Sequence, residues 1–550
     1  MNKVIVSGVS LILVVGVVIG VVATVNRGGS DDKNSSPQMK SVSQMCQPTD
    51  YKEVCTQTLS KVNSTDPKEF IRTGILAIQD SLKKSLNLSE DLVVKVTDDP
   101  HSKVALEDCK ELLNKAVQSL NSTFTKISDS DMKSLAEHSE DFRIWLSYVI
   151  SYQELCIDGF QNEKLKGEVQ KSTDFGSQLT DNVLNILGRI SDVFKSFGLQ
   201  FNIPSTNGRL LQENGYPTWV SAADRKLLAA RDNGRLPPNA VVALDGSGQF
   251  KSVAAALNAC PKNAKGRCVI YVKAGIYTET VTVEVPNVYM YGDGPRKTIF
   301  TGKKSFKDGV NTWKTATFIV EADGFIARSM GFQNTAGPDG HQAVAVRVNS
   351  DMSVFYNCRL DGYQDTLCYQ AGRQFYRNCV ISGTVDFLFG YGAVIIQNSL
   401  IIVRMPNPSQ ANTVTADGRK ENGQPTGLVI HNCRIVPEQK LVAARLQIPT
   451  YLGRPWKQYS RTVVMESQLG DLIRPEGWLE WPGQPYENTL YYAEYGNSGP
   501  GAVTNRRVKW KGVHLLGRNE ALAFTPGAFF KPTTDWINNA GVAVLLGLKR

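Results

Sequence analysis

Asp365 and Asp386 stand 21 residues apart, and Gln342 and Gln364 stand 22 apart. Both intervals match the length of one coil in a stacked parallel β-structure, where a residue meets its counterpart on the next coil at about 4.8 Å. Two carboxylates at that distance do not both ionise comfortably. One pKa rises, which leaves a protonated acid beside a charged group, the split that acid/base chemistry requires. The other chemistries lack their signatures: no metal-ligand spacing, nucleotide loop or Gly-x-Ser-x-Gly turn is present, and after residue 229 the histidines are His341, His431 and His514. If this chain is an enzyme, carboxylates carry the reaction. The competing reading makes the same aspartates solvated turn residues or calcium ligands at solenoid corners.

The elements that would hold these residues are legible as a repeat. Asn334, Asn357, Asn378, Asn398 and Asn432 each follow or adjoin a β-branched or aromatic residue, at intervals of 23, 21, 20 and 34. Short apolar runs with Asn or Gly at the corners predict a β-solenoid whose coils bury their faces only against neighbours, the longest interval being a coil with an inserted loop. Val269–Val272, Val281–Val285 and Val288–Tyr291, punctuated by Gly275, Pro286 and Gly292, continue the style upstream. The apolar stretch Ala540–Leu548, after Trp536, is expected to cap the last coil.

At 550 residues the chain needs at least two domains. Val4 to Val25 carries no charge between Lys3 and Arg27, long enough for a signal-anchor and longer than the usual core of a cleaved signal peptide. Either reading sends the remainder into the secretory pathway, and the membrane is met only through this segment. The four Asn-x-Ser/Thr sequons, Asn34, Asn63, Asn87 and Asn121, all lie early. From residue 229 onward 36 Lys and Arg face 24 Asp and Glu, net +12, whereas the first 228 residues carry 25 against 28, net −3. A basic secreted solenoid points to an anionic polysaccharide partner. Nucleic acid is not expected, since no finger, helix-turn-helix or stacked-aromatic motif appears.

Residues 46–200 alternate polar and apolar at helical spacing. Runs near Glu69–Leu88, Ser102–Ile127, Asp129–Phe160 and Phe175–Phe197 predict four amphipathic helices in an up-and-down bundle. Its cysteines group as Cys46 with Cys55 and Cys109 with Cys156, although sequence alone permits three pairings. Cys260 and Cys268 are a further local pair. A Pro/Gly/Asn-rich stretch from Pro204 to Asn239 separates bundle from solenoid and reads as a linker.

Two resemblances rest on these residues. Cys46-x8-Cys55, Ala105-Leu106-Glu107-Asp108-Cys109 and Cys156-Ile157-Asp158-Gly159-Phe160 are similar to the pectin methylesterase inhibitor domain. Gly275-Ile276-Tyr277-Thr278-Glu279, Gln342-Ala343-Val344-Ala345-Val346, Gln364-Asp365-Thr366-Leu367, Asp386-Phe387-Leu388-Phe389-Gly390 and Leu452-Gly453-Arg454-Pro455-Trp456 resemble, in the family's order, the pectin methylesterases. The linker's Arg209-Leu210-Leu211 and Arg225-Lys226-Leu227-Leu228 are similar to the basic-Leu-Leu sites at which plant precursors are cut by a processing protease.

The resemblance implies an all-β right-handed parallel β-helix over 238–550, preceded by a signal-anchor or signal peptide (1–27), a linker (28–45), an all-α inhibitor-like four-helix bundle (46–200) and a processing linker (201–237). It implies a pectinesterase acting on methylesterified homogalacturonan, with no cofactor and no metal, restrained by an inhibitor domain in cis or in trans. The precursor would sit in the Golgi membrane and the product in the cell wall. Asp386 would be the nucleophile, Asp365 the proton donor, and Gln364 with Gln342 the donors to the oxyanion. Arg454 would pair with Asp386, while Thr312 and Trp456 would contact the sugar. Tyr391 and Leu388 depart from the family's usual Asn and Ile or Val. Ser399 stands where many relatives carry a cysteine partner for Cys379, leaving Cys358 as its alternative partner and Cys368 and Cys433 unassigned. A β-helical polygalacturonase or pectate lyase, or a silent wall-binding protein, are the other readings.

Overall fold

The computed structural model describes residues 36–95, 99–201, 236–261 and 266–549. Val4–Val25, Asn34 and both basic-Leu-Leu sites lie outside the described residues. No described helix is long and apolar enough to cross a membrane.

From Ala240 onward the chain winds into three parallel sheets of 11, 8 and 7 strands among the described residues. Each full coil contributes one strand to each sheet, as Arg373–Arg377, Val380–Gly383 and Leu388–Gly390 do in turn. The corner between the first two sheets needs a left-handed residue, which Asn tolerates better than most side chains. Asn357, Asn378, Asn398 and Asn432 supply it, with φ of 52, 53, 52 and 54°. Their side chains form a ladder, Asn432 Nδ2 donating to Asn398 Oδ1 at 3.4 Å and Asn398 Nδ2 to Asn378 Oδ1 at 2.5 Å.

Asn334 does not belong to this ladder. Arg328 pairs in register with Tyr356, so the corner preceding Asn357 is Ser329 (φ 56°), whose hydroxyl accepts from Asn357 Nδ2 at 2.9 Å. Asn334 ends the strand Gly331–Asn334 and turns inward, donating to Lys304 O at 2.9 Å and Val344 O at 3.1 Å. The interior is filled by stacked rings such as Phe355 on Tyr376, with centroids 4.9 Å apart.

Cys358, Cys368, Cys379 and Cys433 are free and buried, so Cys358 and Cys379 do not pair. Their thiols point the same way along the stack: Cys358 Sγ bonds Ala327 O at 3.5 Å and Cys379 Sγ bonds Phe355 O at 3.4 Å, each a coil back. Cys260 and Cys268 are joined as a disulfide. The C-terminal segment is not a cap on the last coil. Trp536, Ile537, Ala540 and Val542 pack along the outer face of the first sheet against Phe375, Val429 and Val463, and Leu545 exchanges two hydrogen bonds with Gln397.

The helical part has four long helices, Pro67–Lys95, Pro100–Asp129, Ser139–Asp158 and Glu163–Gly188. Two expected boundaries shift. The run from Asp129 to Phe160 is broken after Met132–Glu137, and the last helix starts at Glu163, where Asn162 caps it, then breaks before Ile190–Ser196. Pro37–Cys46, read as linker, is helical and buries Val42 and Met45 in the bundle core. Disulfides join Cys46 to Cys55 and Cys109 to Cys156.

The bundle lies against the β-helix, and Trp313, Ala371, Tyr391 and Ala393 of the β-helix belong to its apolar core. Ions frame this contact: Arg373 Nη2 meets Asp141 Oδ1 at 2.7 Å, and Lys314 Nζ meets Asp108 Oδ1 at 2.6 Å. Beside them lies a pair of buried acids. Asp181 Oδ1 accepts from Gly423 N at 2.7 Å, and Glu421 accepts from Ser177 Oγ and Tyr51 Oη, each at 2.9 Å. Burial, reinforced by Glu421, pushes Asp181 up to about 7, and burial raises Glu421 as well.

A raised carboxyl contributes stability that is complete below its ordinary value of 3.8 and is lost as pH rises through about 7. Asp181→Asn keeps an acceptor for Gly423 and removes the charge. The bundle–β-helix contact in that variant is expected to lose less stability than the wild type between pH 3.8 and about 7. Thermal unfolding of both intact chains across that range measures it, and parallel profiles would contradict the assignment.

Candidate active site

The turn between the second and third sheets is where the chemistry gathers. Leu367 pairs with Leu388 and Leu388 with Thr415, which puts Asp365, Asp386 and Thr413 in one column on three successive coils. Both aspartates are left-handed, at φ 65 and 51°, an uncommon state for a non-glycine residue and one that concentrates at functional sites. Gln342 and Gln364 bridge in parallel immediately before this column. Arg454 follows the strand Thr450–Gly453, one coil beyond Thr413.

Four hydrogen bonds fix Asp386. Arg454 Nε donates to Oδ1 at 2.8 Å and Nη2 to Oδ2 at 2.6 Å, the two-pronged geometry that guanidinium and carboxylate planes share. Thr413 Oγ1 donates to Oδ1 at 2.6 Å and accepts from the Asp386 N–H at 2.8 Å, tying side chain and strained backbone to one hydroxyl. Oδ1 thus has both in-plane lone pairs occupied, while Oδ2 keeps one open. Asp365 is 7% exposed. Its carboxyl is held well above the ordinary range, by burial first and by Asp386 second, against the opposing pull of Arg454.

The cleft lies on the outer face of the third sheet. Ala316, Val344, Cys368, Phe389 and Ala416 form its apolar floor, with Trp456 and Trp481 packed against them. The Arg454 guanidinium stands 4.5 Å from the Trp481 ring centroid. A cavity of about 440 Å³ brings together Gln342, Gln364, Asp365, Asp386, Arg454, Thr312 and Trp456. Its roof is the bundle: Glu154, Leu155, Ile157, Asp158 and Gly159, with Lys166 and Gln170. No cluster able to hold a metal ion occurs among the described residues.

Two participants were not singled out from sequence. Thr413 falls in the aspartate column, but the inserted loop before it breaks the interval that would have revealed it. Lys457 sits one residue after Trp456 with no spacing signal of its own. Tyr391, noted as a departure, is 1% exposed; it packs on Trp456 with centroids 4.8 Å apart and donates its hydroxyl to Asp158 Oδ2 at 2.9 Å. The sequons at Asn63, Asn87 and Asn121 are exposed on the bundle.

Comparison with known proteins follows the same division. The family profile described as Pectinesterase matches residues 239–533, and that described as Plant invertase/pectin methylesterase inhibitor matches residues 40–186. Pectinesterase 4 of Arabidopsis thaliana is 43% identical over 100% of both chains, and Pectinesterase 5 of the same plant 42% identical over 100% of both. The solved pectin methylesterase from carrot is 47% identical with a TM-score of 0.56, covering 57% of this chain and 99% of its own.

Thr413→Val keeps the shape but leaves the Asp386 N–H without its acceptor. An unsatisfied buried donor costs about 1–3 kcal/mol, so that loss is expected in denaturant unfolding, with Thr413→Ser close to wild type. Equal stability of the valine variant would show that the hydroxyl holds nothing.

Proposed function

The chain belongs to the pectinesterase family, and from that premise we propose how its residues divide the work of removing methyl esters from pectin. It is a pectinesterase, a carboxylic ester hydrolase, with an N-terminal inhibitor domain. The observation that carries the residue roles is the pair of column-adjacent carboxylates in opposite environments, Asp386 gripped by Arg454 and Asp365 buried with its carboxyl raised.

Asp386 attacks the ester carbonyl carbon through Oδ2, the oxygen with an open lone pair. The side-chain amides of Gln364 and Gln342 donate to the oxyanion that develops, a term commonly worth ~3 kcal/mol per donor. As the carbon–oxygen bond to the methoxy group breaks, Asp365 gives up its proton and methanol leaves. The Asp365 carboxylate then accepts a proton from water, the hydroxide oxygen adds to the acyl carbon, and Asp386 is released with the galacturonate acid formed. Thr312 and Trp456, which line the cavity, contact the sugar.

The domain reading is an inhibitor bundle up to residue 200, a processing linker to 237 and a right-handed parallel β-helix to 550. The bundle forms the roof of the cavity, which supports inhibition in cis by excluding polymer. A processing protease acting at Arg209–Leu211 or Arg225–Leu228 would separate the two parts. The disulfides support an oxidising route through the secretory pathway to the cell wall, with Val4–Val25 as the membrane segment of the precursor.

Methanol release from highly methylated pectin tests the roles. Asp386→Asn is expected to fall to background at every pH. Asp365→Asn is expected to lose roughly 10²- to 10⁴-fold and also its high-pH limb, since the donor must be protonated and its raised pKa defines that limb. Near-normal release from the first variant, or an unaltered profile in the second, contradicts the assignment.

A further inference from the structure

Asp158 ends the bundle helix Ser139–Asp158, and its carboxylate occupies a site that the β-helix supplies. Lys457 Nζ donates to Oδ1 at 2.8 Å and the Tyr391 hydroxyl donates to Oδ2 at 2.9 Å. Lys457 lines the cleft and Tyr391 lies behind Trp456, and in the intact chain, with the bundle packed on them, Tyr391 is 1% exposed and Lys457 8%. The Trp456 ring supports the pair, 4.8 Å from the Tyr391 ring and 5.3 Å from Lys457 Nζ. Glu154 of the bundle joins Lys457 at 2.7 Å and Lys420 at 3.7 Å. Among the described residues, Lys457 forms ion pairs only with these two bundle carboxylates.

In the intact chain the buried ammonium group of Lys457 finds its anions on the bundle. Without the bundle, the β-helix holds a lysine and a phenol hydroxyl beside Trp456 and has no carboxylate of its own paired with them. The reaction itself makes the matching anion, because each ester removed leaves a galacturonate carboxylate on a unit that neighbours the next ester.

We propose that Lys457 and Tyr391 form a subsite for the free carboxylate of a de-esterified galacturonate unit, and that Asp158 of the bundle occupies this subsite as a stand-in for it. The proposal rests on the pectinesterase reading and deepens it. An enzyme with such a subsite attacks esters next to acid units faster than isolated ones, so de-esterification advances in blocks. The departure at Tyr391 gains a purpose, since the phenol reaches an anion held at the cleft wall.

The β-helix can be examined alone. Its two cores draw only on residues from 236 onward, and the carrot structure aligns over 99% of its own length with only 57% of this chain. The intact chain carrying a protease site between residues 201 and 236 is cut and the bundle removed. Binding of fully de-esterified oligogalacturonate is measured by titration calorimetry. Methanol release is measured as kcat/KM on fully esterified pectin and on pectin carrying blocks of acid units. A hydrogen bond to a charged group is worth about 10-fold or more, so Lys457→Gln and Tyr391→Phe are each expected to weaken oligogalacturonate binding by about that factor. The rate ratio between the two pectins should fall with it, and Lys457→Arg should retain both. Unchanged binding in Lys457→Gln, or rates on the two pectins falling together, overturns the proposal and leaves Lys457 and Tyr391 as clamps for the bundle. Wild type that binds the oligomer through Lys457 yet releases no methanol refutes the esterase reading and supports the subsite. Wild type that turns over both pectins at one rate refutes the subsite alone.

Discussion

Register between coils is the constraint from which the rest follows. Parallel pairing fixes each coil about 4.8 Å from the next, so a residue type that recurs at the same point of successive coils becomes a column. At one corner the column is asparagine, chosen for a left-handed backbone. At another it is Asp365, Asp386 and Thr413, where the two aspartates share the left-handed backbone and Thr413 continues the column from inside a strand. The two carboxylates are near each other because the strands on either side are in register. Their different states come from what each meets next: a guanidinium and a hydroxyl for one, apolar burial for the other.

The bundle reads the same surface with opposite charge. Its carboxylates Asp108, Asp141, Glu154 and Asp158 meet Lys314, Arg373, Lys420 and Lys457 of the β-helix. These pairs use four of the β-helix cations, and Lys115 of the bundle with Glu321 of the β-helix runs the other way. Lys420 and Lys457 together hold the Glu154 carboxyl below its ordinary value even though burial works against them.

Sequence periodicity exposed the solenoid because coil length is conserved where loops are short. It also exposed the aspartate pair, which lies in adjacent coils of equal length. Asn334 was misplaced because a residue can match the pattern's composition while sitting at a strand end, and only the pairing of Arg328 with Tyr356 shows Ser329 at the corner. Thr413 and Lys457 were hidden for related reasons. One lies beyond an inserted loop, and the other acts through a contact with a helix some 300 residues away in the chain. The C-terminal segment has the composition of a cap, but composition does not say which apolar face it covers, and the outer face of the first sheet offered the longer one. Helix ends shifted for local reasons, such as the Asn162 side chain that starts the last long helix.

The roof over the cleft is joined to the floor by the chain itself. A covalent connection holds a partner at an effective concentration of order millimolar, so in the uncut chain closure is independent of dilution. A cut between residues 201 and 236 falls outside every contact described between the two parts. It converts an intramolecular equilibrium into a bimolecular one, and the freed enzyme then opens only as far as its own concentration, or a competing polymer, allows. Scission therefore sets the order of the reaction that follows it, and the crowding of the compartment where it happens decides whether the two parts stay together.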